Sequence, residues 1–299
     1  MTTLQPLNDR PVTVVGTGRL ARSIGVVLAS RGGVVRIWGR RPEAADEARA
    51  EIEGRLPDLV AARGGDAVAG SIEVHDDLAT AVAGAGLVIE TVAEDPELKR
   101  TVLAELDGLA DADAIVASNS SSIPVATYAD ALATPERVLN VHFHNPPIHN
   151  AVDVLSSGTT RPEIIYHLLV ELPKFGLVPF VSTKPDKPFP FNRMMDGWFR
   201  EALQIVADDA SSIEDVDGIW MVDTGMPIGP FELMDQIGLD VIAMVERLRR
   251  QDNPALESWQ AVEVLDRYID AGHLGLKTGE GFYRWSSEGE RIGVAPARA

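Results

Sequence analysis

The run Val12-Thr13-Val14-Val15-Gly16-Thr17-Gly18-Arg19-Leu20-Ala21 constrains the fold of this chain more than any other segment. Four β-favouring residues lead into two glycines one residue apart, and the apolar spacing that follows over residues 20–30 is helical. Gly16 permits a tight turn, Gly18 lets the backbone approach a ligand, and Ala21 is small enough for close packing of helix on strand. A strand that turns straight into a helix belongs to a parallel sheet with helical crossovers.

The alternation continues. Val34-Val35-Arg36-Ile37-Trp38 reads as a strand, and an Ala- and Glu-rich helix follows from Glu43. Further strands are expected at Leu87-Val88-Ile89, Ala114-Ile115-Val116-Ala117, Val138-Leu139-Asn140-Val141 and Val178-Pro179-Phe180-Val181. This predicts an α/β fold with a Rossmann-type doubly wound parallel sheet. Lys184-Pro185-Asp186-Lys187-Pro188-Phe189-Pro190 suits neither a helix nor an interior strand, because three prolines remove donors and fix the backbone. The boundary is therefore expected here, with residues 1–184 as the sheet domain and 185–299 as an all-α C-terminal domain. Its helices are expected over residues 193–207, 213–222, 231–249 and 255–271. From Ser286 onward the chain is polar and small, the composition of a disordered tail.

Composition excludes several function classes. There is no cysteine, which removes disulfides, thiolate metal sites and a cysteine nucleophile, and no metal centre is expected. A net charge of −18 argues against a nucleic-acid partner, whose phosphates need a concentrated positive surface. No run approaches the ~20 apolar residues of a membrane helix. Residues 1–10 have no leader-like apolar region, so a cytoplasmic location is expected.

The glycine turn in its strand-helix context points to a dinucleotide. The amides around Gly16, Thr17, Gly18, Arg19 and Leu20 are expected to face its pyrophosphate. An NAD site usually ends the second strand in a carboxylate for the ribose hydroxyls. Here the strand ends in Gly39-Arg40-Arg41, and guanidinium groups suit a phosphate monoester. NADP(H) is the expected cofactor, with NAD the alternative. Two arginines at a helix start also read as solvated surface residues.

Three clusters sit where ligands gather in such folds: Ser118-Asn119-Ser120-Ser121-Ser122, the segment from His142 through Asn145-Pro146-Pro147, and Asn192. His142 can exchange a proton near neutral pH, and Asp153, a short loop later, can orient and charge-stabilise its ring. The serines also read as turn caps, and Asn192 equally as a helix cap.

Taken in order, these segments resemble the 3-hydroxyacyl-CoA dehydrogenase family, including its 3-hydroxybutyryl-CoA branch. The likeness extends through Leu87 to Glu94 with Lys99, and through Pro227-Ile228-Gly229-Pro230-Phe231-Glu232-Leu233-Met234-Asp235. It ends at Leu276-Lys277-Thr278-Gly279-Glu280-Gly281-Phe282-Tyr283. The resemblance implies a helical second domain that mediates a homodimer, and hydride transfer at C3 of an acyl substrate. It makes His142 the general acid/base, with Asp153 where the family has a glutamate. Ser121 and Asn192 match positions that hydrogen-bond the reacting oxygen or the histidine. Glu94 and Lys99 match a charge pair near the site mouth and are assigned to cofactor binding. Glu232 and Asp235 read as interdomain or dimer contacts.

The chain departs from the family in three places. The segment from His142 to Asp153 is one residue shorter, His144 replaces an apolar residue, and the arm over residues 42–72 is shorter. That arm contributes to coenzyme A binding in the family, but here carries Arg49, Arg55 and Arg63 and no lysine. A ketoreductase acting on a polyketide, a carrier-protein thioester or a free β-keto acid is therefore the alternative. A catalytically weak cofactor-binding or structural protein of the same fold is the alternative of another class. An imine-forming dehydrogenase is disfavoured by His142.

Overall fold

The computed structural model describes residues 4–65, 67–184, 189–252 and 260–296. It separates into two compact units, Met1–Pro190 and Phe191–Ala299. Among the described residues no helix is long and apolar enough to cross a membrane.

The first unit contains β1 (Val12–Val15), α1 (Arg19–Ala29), β2 (Val34–Trp38), α2 (Pro42–Arg63), β3 (Ser71–Val74) and α3 (Leu78–Val82). It continues with β4 (Leu87–Glu90), α4 (Pro96–Leu109), β5 (Ile115–Ser118), β6 (Val138–Asn145), β7 (His149–Ser156), α5 (Pro162–Glu171) and β8 (Val178–Ser182). The strands form one sheet in the order β3-β2-β1-β4-β5-β6-β7-β8. The first six run parallel, which is the doubly wound arrangement with its switch point between β1 and β4. β1, β4 and β5 are buried at every residue, as a sheet covered on both faces requires.

Two strands of the first unit escape the sequence reading. β3 is a short strand of polar and apolar residues beside β2. β7 occupies what reads as a loop between His142 and Asp153. Instead, β6 runs on to Asn145, turns through Pro146-Pro147 and returns antiparallel, with β8 parallel to β7 beyond it. The prolines that resemble a strand terminator stand at the apex of a hairpin.

The second unit contains α6 (Pro190–Ala207), α7 (Ile213–Thr224), α8 (Pro230–Ile237), α9 (Leu239–Asp252) and α10 (Ala261–Ile269). The single helix expected over residues 231–249 is broken at Gly238, whose φ of +111° is not helical. The N-terminal part of the helix expected over 255–271 lies outside the described residues up to 259, and α10 begins at Ala261. The polar tail does not fray throughout. Its β10 (Arg291–Val294) pairs antiparallel with β9 (Tyr283–Trp285), so the helical unit is completed by a two-stranded ribbon. Arg291 explains the pairing: its guanidinium lies 4.9 Å from the Tyr283 ring centroid and bonds Glu232 at 2.8 Å.

Asp235 fastens this ribbon to α8. Its buried carboxylate accepts from the backbone N–H groups of Phe282 and Tyr283 and from the indole of Trp285, each at 2.9 Å. A Cβ at Gly281 would collide with the same carboxylate, which is why the segment carries glycine there. Glu232 and Asp235 thus act inside the second unit, where sequence reading expected contacts with another domain or chain. Asp235→Ala leaves three buried donors without an acceptor and is expected to lower stability by about 3 kcal/mol or more. Urea unfolding followed by tryptophan fluorescence measures the loss.

Candidate active site

The chain leaves β1 through Gly16, whose φ is +135°. A Cβ at this position would collide with the Thr91 side chain beyond β4, so only glycine fits the crossing. Gly16 N–H donates to Trp38 O at 2.8 Å, which ties the turn to the end of β2. Gly18 caps α1 with open space where its side chain would stand, and the first turn of α1 carries no acidic residue. The free amides of that turn are a cradle for phosphate oxygens. Arg22 holds the turn from behind, bonding Thr17 O at 2.9 Å and Glu51 at 2.5 Å.

At the end of β2, Arg40 and Arg41 are exposed and neither makes an ion pair among the described residues. Gly39 lies against Thr17, so that a Cβ at 39 would stand 2.5 Å from Thr17 Cγ2. Thr17 therefore occupies the space into which a longer residue 39 would extend.

β4 ends in Glu90, which is fully buried. Its carboxylate accepts from Lys99 Nζ at 2.8 Å, Val92 N–H at 2.7 Å and Ser118 Oγ at 2.6 Å. Lys99 is only 1% exposed and also bridges Glu94 at 3.2 Å. Glu94 accepts in turn from the hydroxyls of Ser120 and, at 2.7 Å, Ser122. Burial pushes the Glu94 carboxyl up, but these serines and Lys99 outweigh it and hold it below the usual carboxylate range. Lys99 is thus placed beneath Glu94, with its ammonium turned into the protein. Ser121 stands at the exposed apex of the serine turn, between the two serines that grip Glu94.

Glu90 is a site residue that sequence reasoning passed over. Its signal was present: an acidic residue closing an otherwise apolar strand, nine positions before a lysine. Asn119 is another, since its Oδ1 accepts from Phe143 N–H at 2.9 Å and links the end of β5 to β6.

β6 extends past its neighbour. The last β5 partner is Ser118, opposite Asn140, so His142 projects beyond the carboxyl end of β5. Across the hairpin His142 pairs in register with Asp153, and His142 Nδ1 lies 3.1 Å from Asp153 Oδ2. Both residues are buried, and the rings of Phe189 and His142 meet nearly perpendicular, 5.7 Å between centroids. His144, two residues along the same strand, places its Nε2 3.0 Å from the same carboxylate oxygen. Sequence reading marked His144 only as a replacement for an apolar residue of the family.

Burial pushes the Asp153 carboxyl up, but donation from His142 and His144 outweighs it and brings it down to about 2. An ionised carboxylate only accepts hydrogen bonds, so both rings must donate to it. His142 in its neutral form therefore carries its proton on Nδ1 and a lone pair on Nε2. Asn192 lies in the first turn of α6, half-buried, and belongs to the second unit.

The first unit thus gathers four features at the carboxyl edge of one parallel sheet. They are the glycine turn, the Gly39-Arg40-Arg41 strand end, the Glu90–Lys99–Glu94 network with its serines, and the His142–Asp153 pair. This is where doubly wound sheets hold dinucleotides. Residues 11–184 match the family model for the 3-hydroxyacyl-CoA dehydrogenase NAD-binding domain, and residues 189–285 match that for its C-terminal domain. A protein of Caenorhabditis elegans named as a probable 3-hydroxyacyl-CoA dehydrogenase is 31% identical over 291 residues, covering 93% of this chain and 96% of the relative. The solved (S)-3-hydroxybutyryl-CoA dehydrogenase PaaH1 from Ralstonia eutropha is 25% identical with a TM-score of 0.82, over 93% of this chain and 99% of that one. A diketoreductase that acts on dicarbonyl compounds is 31% identical with a TM-score of 0.78, over 92% and 98%. The chain belongs to the 3-hydroxyacyl-CoA dehydrogenase family of oxidoreductases, with a nicotinamide-dinucleotide-binding domain at its N-terminal end.

Proposed function

We propose that this protein interconverts a 3-keto and a 3-hydroxy acyl group with NADP(H), using His142 as the general acid/base. The observation that carries this reading is the buried His142 Nδ1 to Asp153 contact of 3.1 Å, which supports Nε2 as the nitrogen offered to a substrate. The bound cofactor supplies or accepts a hydride at C3. In oxidation His142 Nε2 takes the proton of the 3-hydroxyl group. In reduction the imidazolium returns it to the oxygen as negative charge develops there. Asp153 stabilises the imidazolium and keeps the ring in the productive tautomer. Ser121, at the apex of the serine turn, is proposed to donate to the same oxygen. Glu94 and its serines set the geometry of that turn.

Preference for NADP(H) is supported by two exposed arginines at the end of β2, neither in an ion pair among the described residues, and by a strand end, Gly39-Arg40-Arg41, that carries no carboxylate. Coenzyme A recognition by the arm is less favoured, because the arginines of α2 are engaged within the fold. Arg49 bonds Asp46 at 2.8 Å, Arg55 bonds Glu51 at 3.2 Å, and Arg63 bonds the Ser30 hydroxyl. A small acyl thioester or a free β-keto acid is therefore expected to compete well with the coenzyme A ester.

The test is NADPH and NADH oxidation with acetoacetyl-CoA, a short thioester analogue and free β-keto acids. Turnover with a 3-keto substrate, faster with NADPH, is expected. His142→Ala should reduce kcat by roughly 100- to 10,000-fold while cofactor binding persists. Absence of turnover on every substrate, or full turnover in His142→Ala, would falsify the assignment.

Gly39→Asp alone is strained by Thr17, so the switch in cofactor preference needs both positions. Thr17→Ala combined with Gly39→Asp is expected to lower the NADPH-to-NADH ratio of kcat/KM by roughly tenfold or more, the value of one hydrogen bond to a charged group. An unchanged ratio would count against the arginines as phosphate readers.

Asp153 also ties stability to pH. Its folded pKa of about 2 lies below the unfolded value of 3.8, so its contribution is complete above about pH 4 and is lost as pH falls through 2. The gap in urea midpoint between the wild type and Asp153→Asn should be widest above pH 4 and should close toward pH 2.

A further inference from the structure

The hydrogen-bonded pair needs one imidazole, yet Asp153 Oδ2 is shared by two, at 3.1 Å from His142 Nδ1 and 3.0 Å from His144 Nε2. His142 and His144 are two residues apart on β6, and both reach Asp153, which stands opposite His142 on β7, although the pairing is irregular between Phe143 and Asn145. The ring centroids are 4.7 Å apart, and the three ligating atoms all lie within 4.8 Å of one another. Two imidazoles and a carboxylate are the ligand set of divalent transition metals, and neither sequence reading nor family membership assigns a metal here.

We propose that His142, His144 and Asp153 form a site for a divalent transition-metal ion such as Zn²⁺, occupied in competition with the proton arrangement that serves hydride chemistry. A tetrahedral ion with bonds of about 2 Å places neighbouring ligand atoms roughly 3.3 Å apart. The contacts of Asp153 with the two nitrogens fall within a few tenths of an ångström of that separation. Two of the ligands share a strand and the third is held opposite them by register, and the two nitrogens, within 4.8 Å of each other, close on the ion by side-chain rotation. His142 and Asp153 are buried, and the His144 side chain, 14% exposed, gives access from solvent. Water takes the fourth position.

The protons balance within the rings. Binding breaks the N–H bonds at His142 Nδ1 and His144 Nε2, and each proton returns through solvent to the other nitrogen of its own ring. Both imidazoles stay neutral and Asp153 stays ionised. The ion-bound His142 then carries its proton on Nε2 and has no lone pair to offer a substrate hydroxyl. The site is therefore an inhibitory one, and the residue that creates it is His144.

Binding is read without substrate or nicotinamide cofactor, so the outcome is independent of the reaction proposed above. The purified full chain is titrated with Zn²⁺ by calorimetry and with Co²⁺ by visible absorption. One ion per chain is expected, with Co²⁺ bands of a four- or five-coordinate nitrogen and oxygen site. His144→Phe and Asp153→Asn, each checked for folding by circular dichroism, should each weaken binding by at least tenfold, and His144→Gln serves if His144→Phe does not fold. His273→Ala, which removes a histidine outside this cluster, should bind as the wild type does. Absence of a one-to-one site tighter than millimolar, or affinity unchanged in folded His144 and Asp153 variants, overturns the proposal.

Discussion

The carboxyl edge of the sheet depends on a charge that has no access to water. Glu90 is buried at the end of β4, and an uncompensated carboxylate there would be prohibitive. It is tolerated because Lys99 from α4, a backbone amide beyond β4 and Ser118 from β5 all converge on it. Each of those donors is thereby fixed in turn. Lys99 has charge left for Glu94, and Glu94 holds the serine turn through Ser120 and Ser122. One buried ion pair thus sets the positions of a helix, a strand end and a loop. The ammonium of Lys99 is itself enclosed and is linked to the serine turn through Glu94.

The His142–Asp153 pair depends on a different constraint, the reversal of strand direction after β6. A parallel strand end is followed by a crossover, which sends the chain away from the site. A hairpin brings it straight back and sets an acid opposite the histidine at the short distance of cross-strand neighbours. Register then becomes decisive, because a slip of one residue would turn Asp153 to the other face of the sheet. β8 guards against such a slip from the far side, where Asp153 is opposite Phe180. Aspartate in place of a longer acid fits this geometry, since the cross-strand distance is already short.

Most of the first unit is legible in the sequence because its strands are buried on both faces and read as continuous apolar runs. The glycine turn is legible because only glycine fits the crossing between Gly16 and Thr91. The hairpin was hidden for a physical reason. Pro146 and Pro147 lie at its apex, and β7 begins with the polar residues His149 and Asn150, so neither end looks like a strand. β10 was hidden in the same way, since its pairing rests on Arg291 reaching Tyr283 and Glu232, and not on an apolar pattern. The break between α8 and α9 was written in Gly238, but a lone glycine in a helical pattern is ambiguous until its φ is known. The contact of His144 with Asp153 depends on the pairing of two strands, which spacing along the chain does not reveal.

The strong acidity of the chain does not oppose an anionic cofactor, because charge must be weighed where it is exposed. Glu90 is enclosed with Lys99, Glu94 is gripped by two serines, and Asp153 is capped by two imidazoles. Their negative charge is spent on internal donors within a few ångströms. The turn at Gly16 to Gly18 lacks an acidic neighbour in the first turn of α1, and Glu51 nearby is neutralised by Arg22 and Arg55. The groups nearest a ligand at this turn are the amides at the start of α1, and the exposed guanidinium groups of Arg40 and Arg41, which make no ion pair among the described residues, stand at the end of β2. A net charge of −18 is a property of the whole surface, and over distances beyond about 10 Å it is screened by salt. A phosphate bound at the glycine turn would respond first to the donors of that turn.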